Sequence, residues 1–144
     1  MKHILVATDG SDGADRALDY AAHFAKDSGA DLLIVNVIGG GLPDNVFSRI
    51  TYAQQSWLKE LVASESAELL TKARDRARSI GVTMIQLESR TGDIAQTIIE
   101  IAREKEADVI VVGKRGTGRI GGLLLGSVSQ KLASLAPQPV TVVP

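Results

Sequence analysis

The stretch of this 144-residue chain best equipped for chemistry lies near its end. From Val112 it reads V-G-K-R-G-T-G-R-I-G-G-L-L-L-G-S-V-S-Q, with glycines at 113, 116, 118, 121, 122 and 126 and cations at Lys114, Arg115 and Arg119. Glycine lets backbone N–H groups approach a ligand with no Cβ in the way. A helix capped at Ser127 would add unpaired N–H donors and the positive end of its dipole. Charge points the same way. From Val109 onward there are four basic residues, Lys114, Arg115, Arg119 and Lys131, and no Asp or Glu, so the overall net charge of −1 conceals a cationic last quarter. Loop, helix start and charge coincide, and a phosphate-bearing ligand is the natural occupant. A merely tight connection with solvated cations would not require that coincidence.

Elements must hold such a loop in place, and the rest of the chain supplies them in alternation. Short β-branched runs occupy residues 3–8, 31–38, 82–88, 108–112 and 139–143, mostly apolar on consecutive residues. That is the pattern of parallel strands covered on both faces. Between them lie helical periodicities: Leu18, Ala21, Ala22, Ala25; then Ile94, Ile98, Ile101, Ala102; then Val128, Leu132, Leu135. Ser11 or Asp12 caps the first helix and Gly29 ends it, Gly81 ends the second, Asp93 with Gln96 opens the third, and Ser127 with Gln130 reads as a capping box. The second helix, over residues 48–80, is long for a globular helix, and its first third is expected to be irregular or bent. Residues 39–44, Gly-Gly-Gly-Leu-Pro-Asp, read as a loop, so the conformation of 39–57 is not fixed by pattern. The order β-α-β-α-β-α-β-α-β implies an α/β fold with a parallel sheet and helices on both faces, in one domain over residues 1–144. Ligands of such sheets bind beyond the carboxyl ends of the strands where the winding reverses. The loops after strands 1 and 4 are the two that stand out.

Two familiar phosphate signatures fail here. Gly116, Gly118 and Gly121 satisfy G-x-G-x-x-G, but the dinucleotide fingerprint needs an acidic residue about 20 positions on, and none follows Asp108. A P-loop needs Lys and then Ser or Thr after Gly118, where this chain has Arg119 and Ile120. A third pattern fits. Gly113, two residues, Gly116, nine residues, then Gly126-Ser127 resembles the G-x2-G-x9-G-[S/T] signature of the ATP-binding branch of the universal stress protein family. An opening strand running into Asp9-Gly10-Ser11, the Gly92-Asp93 helix start and a short final strand extend the resemblance along the whole chain.

The resemblance implies a Rossmann-like three-layer sandwich whose five strands lie in the order 3-2-1-4-5. It implies that Ala7, Thr8 and Asp9 meet ribose and base, with Asp9 near a nucleotide-bound magnesium, and that Val37 packs on adenine. By the same likeness Val112, Gly113, Arg115 and Gly116 lie beside ribose and phosphate, and Gly126, Ser127, Val128 and Ser129 hold the phosphates. A homodimer through the final strand, Val140–Val143, is implied as well. That strand is also a short apolar edge between Pro139 and Pro144, which invites pairing with a second copy. The expected function is an ATP-dependent regulatory switch acting on an unidentified effector protein. It is not an enzyme in the main, since no base poised on water and no arginine finger can be picked out, and any ATP hydrolysis should be slow. AMP or cyclic AMP in the same pocket is the alternative ligand. A related adenylating enzyme, whose strand-1 loop is S-G-G-x-D-S, fits less well, because this chain has Thr8-Asp9-Gly10-Ser11-Asp12-Gly13 there.

Composition narrows the rest. There is no Cys, which removes disulfides and thiolate metal sites, and aromatic residues are only 3%, too few for base-stacking platforms. Balanced charge argues against a nucleic-acid partner, and no run approaches the ~18 apolar residues of a membrane span. The first apolar run, Ile4 to Ala7, is cut short by Thr8 and Asp9 where a leader would continue, so the expected setting is cytoplasmic. His3 and His23 lack further ligands nearby for a metal. Tyr52 and Trp57 are expected to pack, and Lys72, Arg74, Arg76 and Arg78 to form a solvated face.

Overall fold

The computed structural model describes residues 1–40, 44–114 and 125–144. In chain order the elements are β1 (His3–Ala7), α1 (Asp12–Ser28), β2 (Asp31–Ile38), α2 (Asp44–Phe47), α3 (Tyr52–Ile80), β3 (Ile85–Thr91), α4 (Ile94–Glu104), β4 (Val109–Gly113), α5 (Ser127–Leu135) and β5 (Val140–Val143). The strands form one parallel sheet in the order β3-β2-β1-β4-β5, as expected. Along each central strand successive side chains serve opposite faces. Ile4, Val6, Leu32, Ile34, Val109 and Val111 pack under α1 and α3, while Leu5, Leu33, Val35, Ile110 and Val112 pack under α4 and α5. Alanines at 14, 17, 21, 22 and 25 give α1 a flat buried face that sits close on β1 and β4.

The helix ends follow the sequence at most positions. Ser11 accepts from the Ala14 N–H, and Gly29 closes α1 in the left-handed region at φ 70°. Asp93 accepts from the Gln96 N–H at the start of α4, and Gly81 closes α3. At the opposite end of the sheet, the Lys2 and His3 N–H groups donate to the Asp108 carboxylate at 2.7 and 2.9 Å. Those two bonds, His3 first, hold the Asp108 carboxyl below the usual carboxylate range.

Several expectations need correction. The long helix is not irregular over its first third. It breaks only at residues 48–51, where Thr51 and Gln54 form a reciprocal capping box, and then runs unbroken from Tyr52 to Ile80. Its first half covers nothing in the described core, since burial begins at Ser66, and Tyr52 (84% exposed) and Trp57 (61%) face outward instead of packing. Arg76 lies on the exposed face as expected, but it also ties that face to α1. Its guanidinium holds Asp19 of α1 through two bonds, at 2.6 and 2.8 Å, with Asp15 at 3.8 Å. This pairing holds the Asp19 carboxyl down and raises Arg76 further. Strand β3 starts at Ile85 and not at residue 82, because Val82 still belongs to the helix end, its N–H donating to the Ala77 carbonyl.

Candidate functional site

The winding reverses between β1 and β4. From β1 the chain steps outward to β2 and β3, and from β4 it steps the other way to β5. The crevice this leaves is at the carboxyl ends of β1 and β4, where loops diverge to opposite faces. A cleft of about 250 Å³ opens there, lined by Ala7, Thr8, Asp9, Ala14, Val37, Ile94, Ile98, Val112, Gly113, Lys114, Gly126, Ser127, Val128 and Ser129. Every residue singled out from the sequence that lies among the described residues is in that lining. Arg115 and Gly116 lie outside the described residues.

The walls differ in chemistry. Val37, Ile98 and Val112 are buried side chains, and Ile94 stands at the rim 36% exposed, so one wall is an apolar slot. Facing it is the β1 turn. The Thr8 N–H donates to the Val35 carbonyl at 2.9 Å, and the Thr8 hydroxyl accepts from the Gly10 N–H at 3.2 Å. Asp9 accepts from the Ser11 N–H at 2.9 Å, which turns the chain into α1. Gly10 takes the left-handed conformation at φ 81°, which a side chain would resist.

The third wall is the junction of β4 and α5. The Lys114 N–H donates to the Val143 carbonyl at 2.7 Å, continuing the β4–β5 ladder past Gly113. The chain returns at Gly126, whose N–H donates to the Lys114 carbonyl at 2.8 Å. Ser129 fastens the same join. Its hydroxyl lies 3.0 Å from both the Lys114 and the Gly126 carbonyl oxygens, and the residue is buried. The base of the glycine segment is therefore closed by backbone hydrogen bonds, with α5 aimed at the cleft from its first turn. Amides of a first helical turn have no partner within the helix, and they carry the positive end of the dipole.

Here the structure corrects the sequence reading at one residue. The N-cap of α5 is Gly126 in an extended conformation, with no side-chain capping bond, and Ser127 is the first helical residue. Ser127 is thus not the cap. Ser129, in turn, uses its hydroxyl to hold the frame, so a donor from that residue to an anion would be its backbone N–H. Lys131, counted among the cations of the last quarter, lies 3.8 Å from Asp93 at the start of α4.

Lining residues that the sequence reading did not place at the site are Ala14, Ile94 and Ile98, while Lys114 was read as one of its cations. Ile94 and Ile98 were legible as one face of α4, and their position in its first two turns was the signal that they reach the carboxyl end of the sheet. Among the described residues no group of three or more His, Asp or Glu side chains could hold a metal ion. No described helix is long and apolar enough to cross a membrane.

Comparison with known proteins agrees with this architecture. The chain is 35% identical over 144 residues to the universal stress protein YxiE of Bacillus subtilis, covering 97% of each chain. A universal stress protein solved in complex with cAMP superposes with a TM-score of 0.73 at 32% identity, over 99% of this chain and 95% of that one. The universal stress protein from Archaeoglobus fulgidus in complex with dAMP gives 0.68 at 25% identity, over 100% and 98%. The model of the universal stress protein family matches residues 1–144, and the chain belongs to that family.

Proposed function

We propose that this chain binds an adenine nucleotide across the ends of β1 and β4 and acts as a nucleotide-dependent regulatory protein. The observation that carries the reading is one cleft with an apolar slot at one side and a helix N-terminus at the other. Adenine would lie in the slot formed by Val37, Ile98 and Val112, the ribose near Thr8 and Asp9, and the phosphates against the first-turn amides of Ser127 and Val128 and against Lys114. Such amides are natural anion donors. Arg115 and Gly116 would add to the phosphate side. The resemblance of Gly113, Gly116, Gly126 and Ser127 to the signature of the family's ATP-binding branch favours a triphosphate, and magnesium would arrive with it, held by the phosphates with the Asp9 carboxylate nearby.

The role is binding and not turnover. Asp9 is the only carboxylate in the described lining, and its Oδ1 is given to the Ser11 N–H that turns the chain into α1. Hydrolysis, where it occurs, should be slow. The output would be altered engagement of an effector protein, with the chain working as a homodimer through β5. That strand lies at the sheet edge, pairs only with β4 among the described strands, and is half-buried along its length.

A second reading keeps the cleft and changes the ligand. Two similar proteins were solved with cAMP and dAMP, which favours a monophosphate or cyclic nucleotide in a sensor or reservoir. Mass spectrometry of what the purified protein releases on denaturation, paired with calorimetric titration, separates the two. Stoichiometric ATP, or Mg-ATP binding tighter than AMP and cyclic AMP, upholds the switch. Tighter AMP or cyclic AMP transfers the role to the sensor, and no heat with any adenine nucleotide refutes both.

A further inference from the structure

Behind the β1 turn lies a row of polar side chains that neither lines the cleft nor belongs to either apolar cluster. Asn36, on β2, is 9% exposed, and its Nδ2 donates to the Thr8 carbonyl at 2.8 Å. Ser66, on α3, is 4% exposed, and its hydroxyl donates to Asn36 Oδ1 at 2.7 Å. Ser89 Oγ, on β3, lies 2.7 Å from Ser66 Oγ. Chemistry fixes the direction of the whole row. A carbonyl only accepts, so the amide nitrogen of Asn36 must face Thr8, and the Asn36 oxygen must then take the single proton of Ser66. Ser89 is left as the donor to Ser66. Three donors thus point one way, from the sheet edge to the carbonyl of Thr8, and aligned bonds of this kind strengthen one another.

Stability alone does not call for this row. Apolar side chains of the same shape at positions 36 and 66 would be close to neutral, whereas a half-satisfied network is costly. The row ends on the one residue whose backbone and hydroxyl both shape the turn that lines the cleft. We infer that Asn36 and Ser66 are positioning residues that hold the Thr8–Gly10 turn in its ligand-ready form. The inference deepens the nucleotide reading and rests on it for the identity of the ligand. Because the row exists before any ligand arrives, its loss acts by lowering the fraction of free protein in the competent arrangement, and apparent affinity falls by that fraction.

The test compares Ser66→Ala with Ala77→Gly, a buried site on the same helix away from the row, and adds Asn36→Asp, which removes the donor to Thr8 while keeping the Ser66 bond. Two readouts are taken on the full chain: calorimetric Kd for Mg-ATP, and amide exchange of Gly10 in the nucleotide-free protein. Ser66→Ala and Asn36→Asp should each weaken Mg-ATP binding roughly threefold to tenfold, the range set by one net hydrogen bond, and speed Gly10 exchange by a similar factor. Ala77→Gly should change neither, although it lowers the unfolding midpoint. Unchanged Gly10 exchange in Ser66→Ala, or equal effects in Ala77→Gly, would overturn the inference. Should the wild-type chain bind no Mg-ATP, the nucleotide reading falls by itself. The exchange readout then decides alone, faster exchange in Ser66→Ala upholding the positioning role and unchanged exchange overturning it.

Discussion

Replacing Gly113 with Ala probes the closest approach in the site. A Cβ built there would lie 2.9 Å from the Gly13 carbonyl oxygen, 3.0 Å from its carbonyl carbon and 3.3 Å from the Ala14 nitrogen. All three are backbone atoms of the first turn of α1, so no side chain can swing aside and the helix or the strand end must move. Forcing one methyl into a packed position costs about 1–3 kcal/mol. Against this, Ala restricts the unfolded chain and returns about 0.4–1 kcal/mol. Because the obstacle is backbone, the upper part of the first range (about 2–3 kcal/mol) applies, and the net expectation is a loss of about 1–2.6 kcal/mol. In a chain of this size that lowers Tm by roughly 3–8 °C, and it lowers the urea midpoint at constant m-value. Gly29 serves as the contrast, for a Cβ there meets nothing within 4 Å and the penalty comes only from its left-handed φ of 70°, on the order of 1 kcal/mol. Only the Gly113 change should also disturb the cleft, because Gly113 and Ala14 both line it. A Gly113→Ala midpoint equal to or above wild type would refute the close contact between β4 and α1.

Three further outcomes are expected. Ser127→Ala keeps the backbone amide and removes only the hydroxyl, which at the first helical position can add a second bond to phosphate. It should weaken Mg-ATP binding about fivefold, one hydrogen bond's worth, while leaving the urea midpoint unchanged, because Gly126 and not Ser127 caps α5; a fall in midpoint without loss of affinity would return Ser127 to a capping role. Asp108 has a folded-state pKa below its unfolded value, so its contribution is fully present above the unfolded value and is lost as pH falls through the folded one. Urea midpoints of wild type and Asp108→Asn should therefore differ at neutral pH and converge in acid, and a pH-independent gap would contradict that assignment. Val142→Asp places a charge on the edge strand β5, where Val142 is half-buried against the α4–α5 side of the core, and should give a monomer in sedimentation velocity with the far-UV circular dichroism of the wild type; a folded variant with an unaltered profile would count against the edge-strand dimer.

The sheet was legible because its signals are local. Unbroken apolar runs marked β1, β2 and β4, and β2 has the bounds read from the sequence. Caps at Ser11, Gly29, Gly81 and Asp93 were readable because each rests on a residue type suited to one backbone shape. The errors arose where a local signal was weak or a distant partner decided. Strand β3 ends in Arg90 and Thr91 at a sheet edge, with Arg90 bonded to Glu88 and Glu104, so no apolar run marked its extent. Helix α3 buries none of its residues before Ser66, and its start is marked by the capping box of Thr51 and Gln54. The ion pair of Arg76 left no local signal because its partner, Asp19, is 57 residues away in the chain. The row from Ser89 to Thr8 joins four elements or turns and leaves no periodic trace. At the site, positions followed from the motif and the strand order, but the split of roles between Gly126, Ser127 and Ser129 required the geometry.

An amide-shift titration with Mg-ATP on isotopically labelled protein tests the central claim most directly. The account predicts saturable shifts concentrated at residues 7–9, 37, 112–114 and 126–129, at the ends of β1, β2 and β4 and the start of α5. Shifts confined elsewhere, such as the polar hollow between α1 and α3 beside Glu65, Glu68 and Lys72, or no saturable shifts, would contradict it.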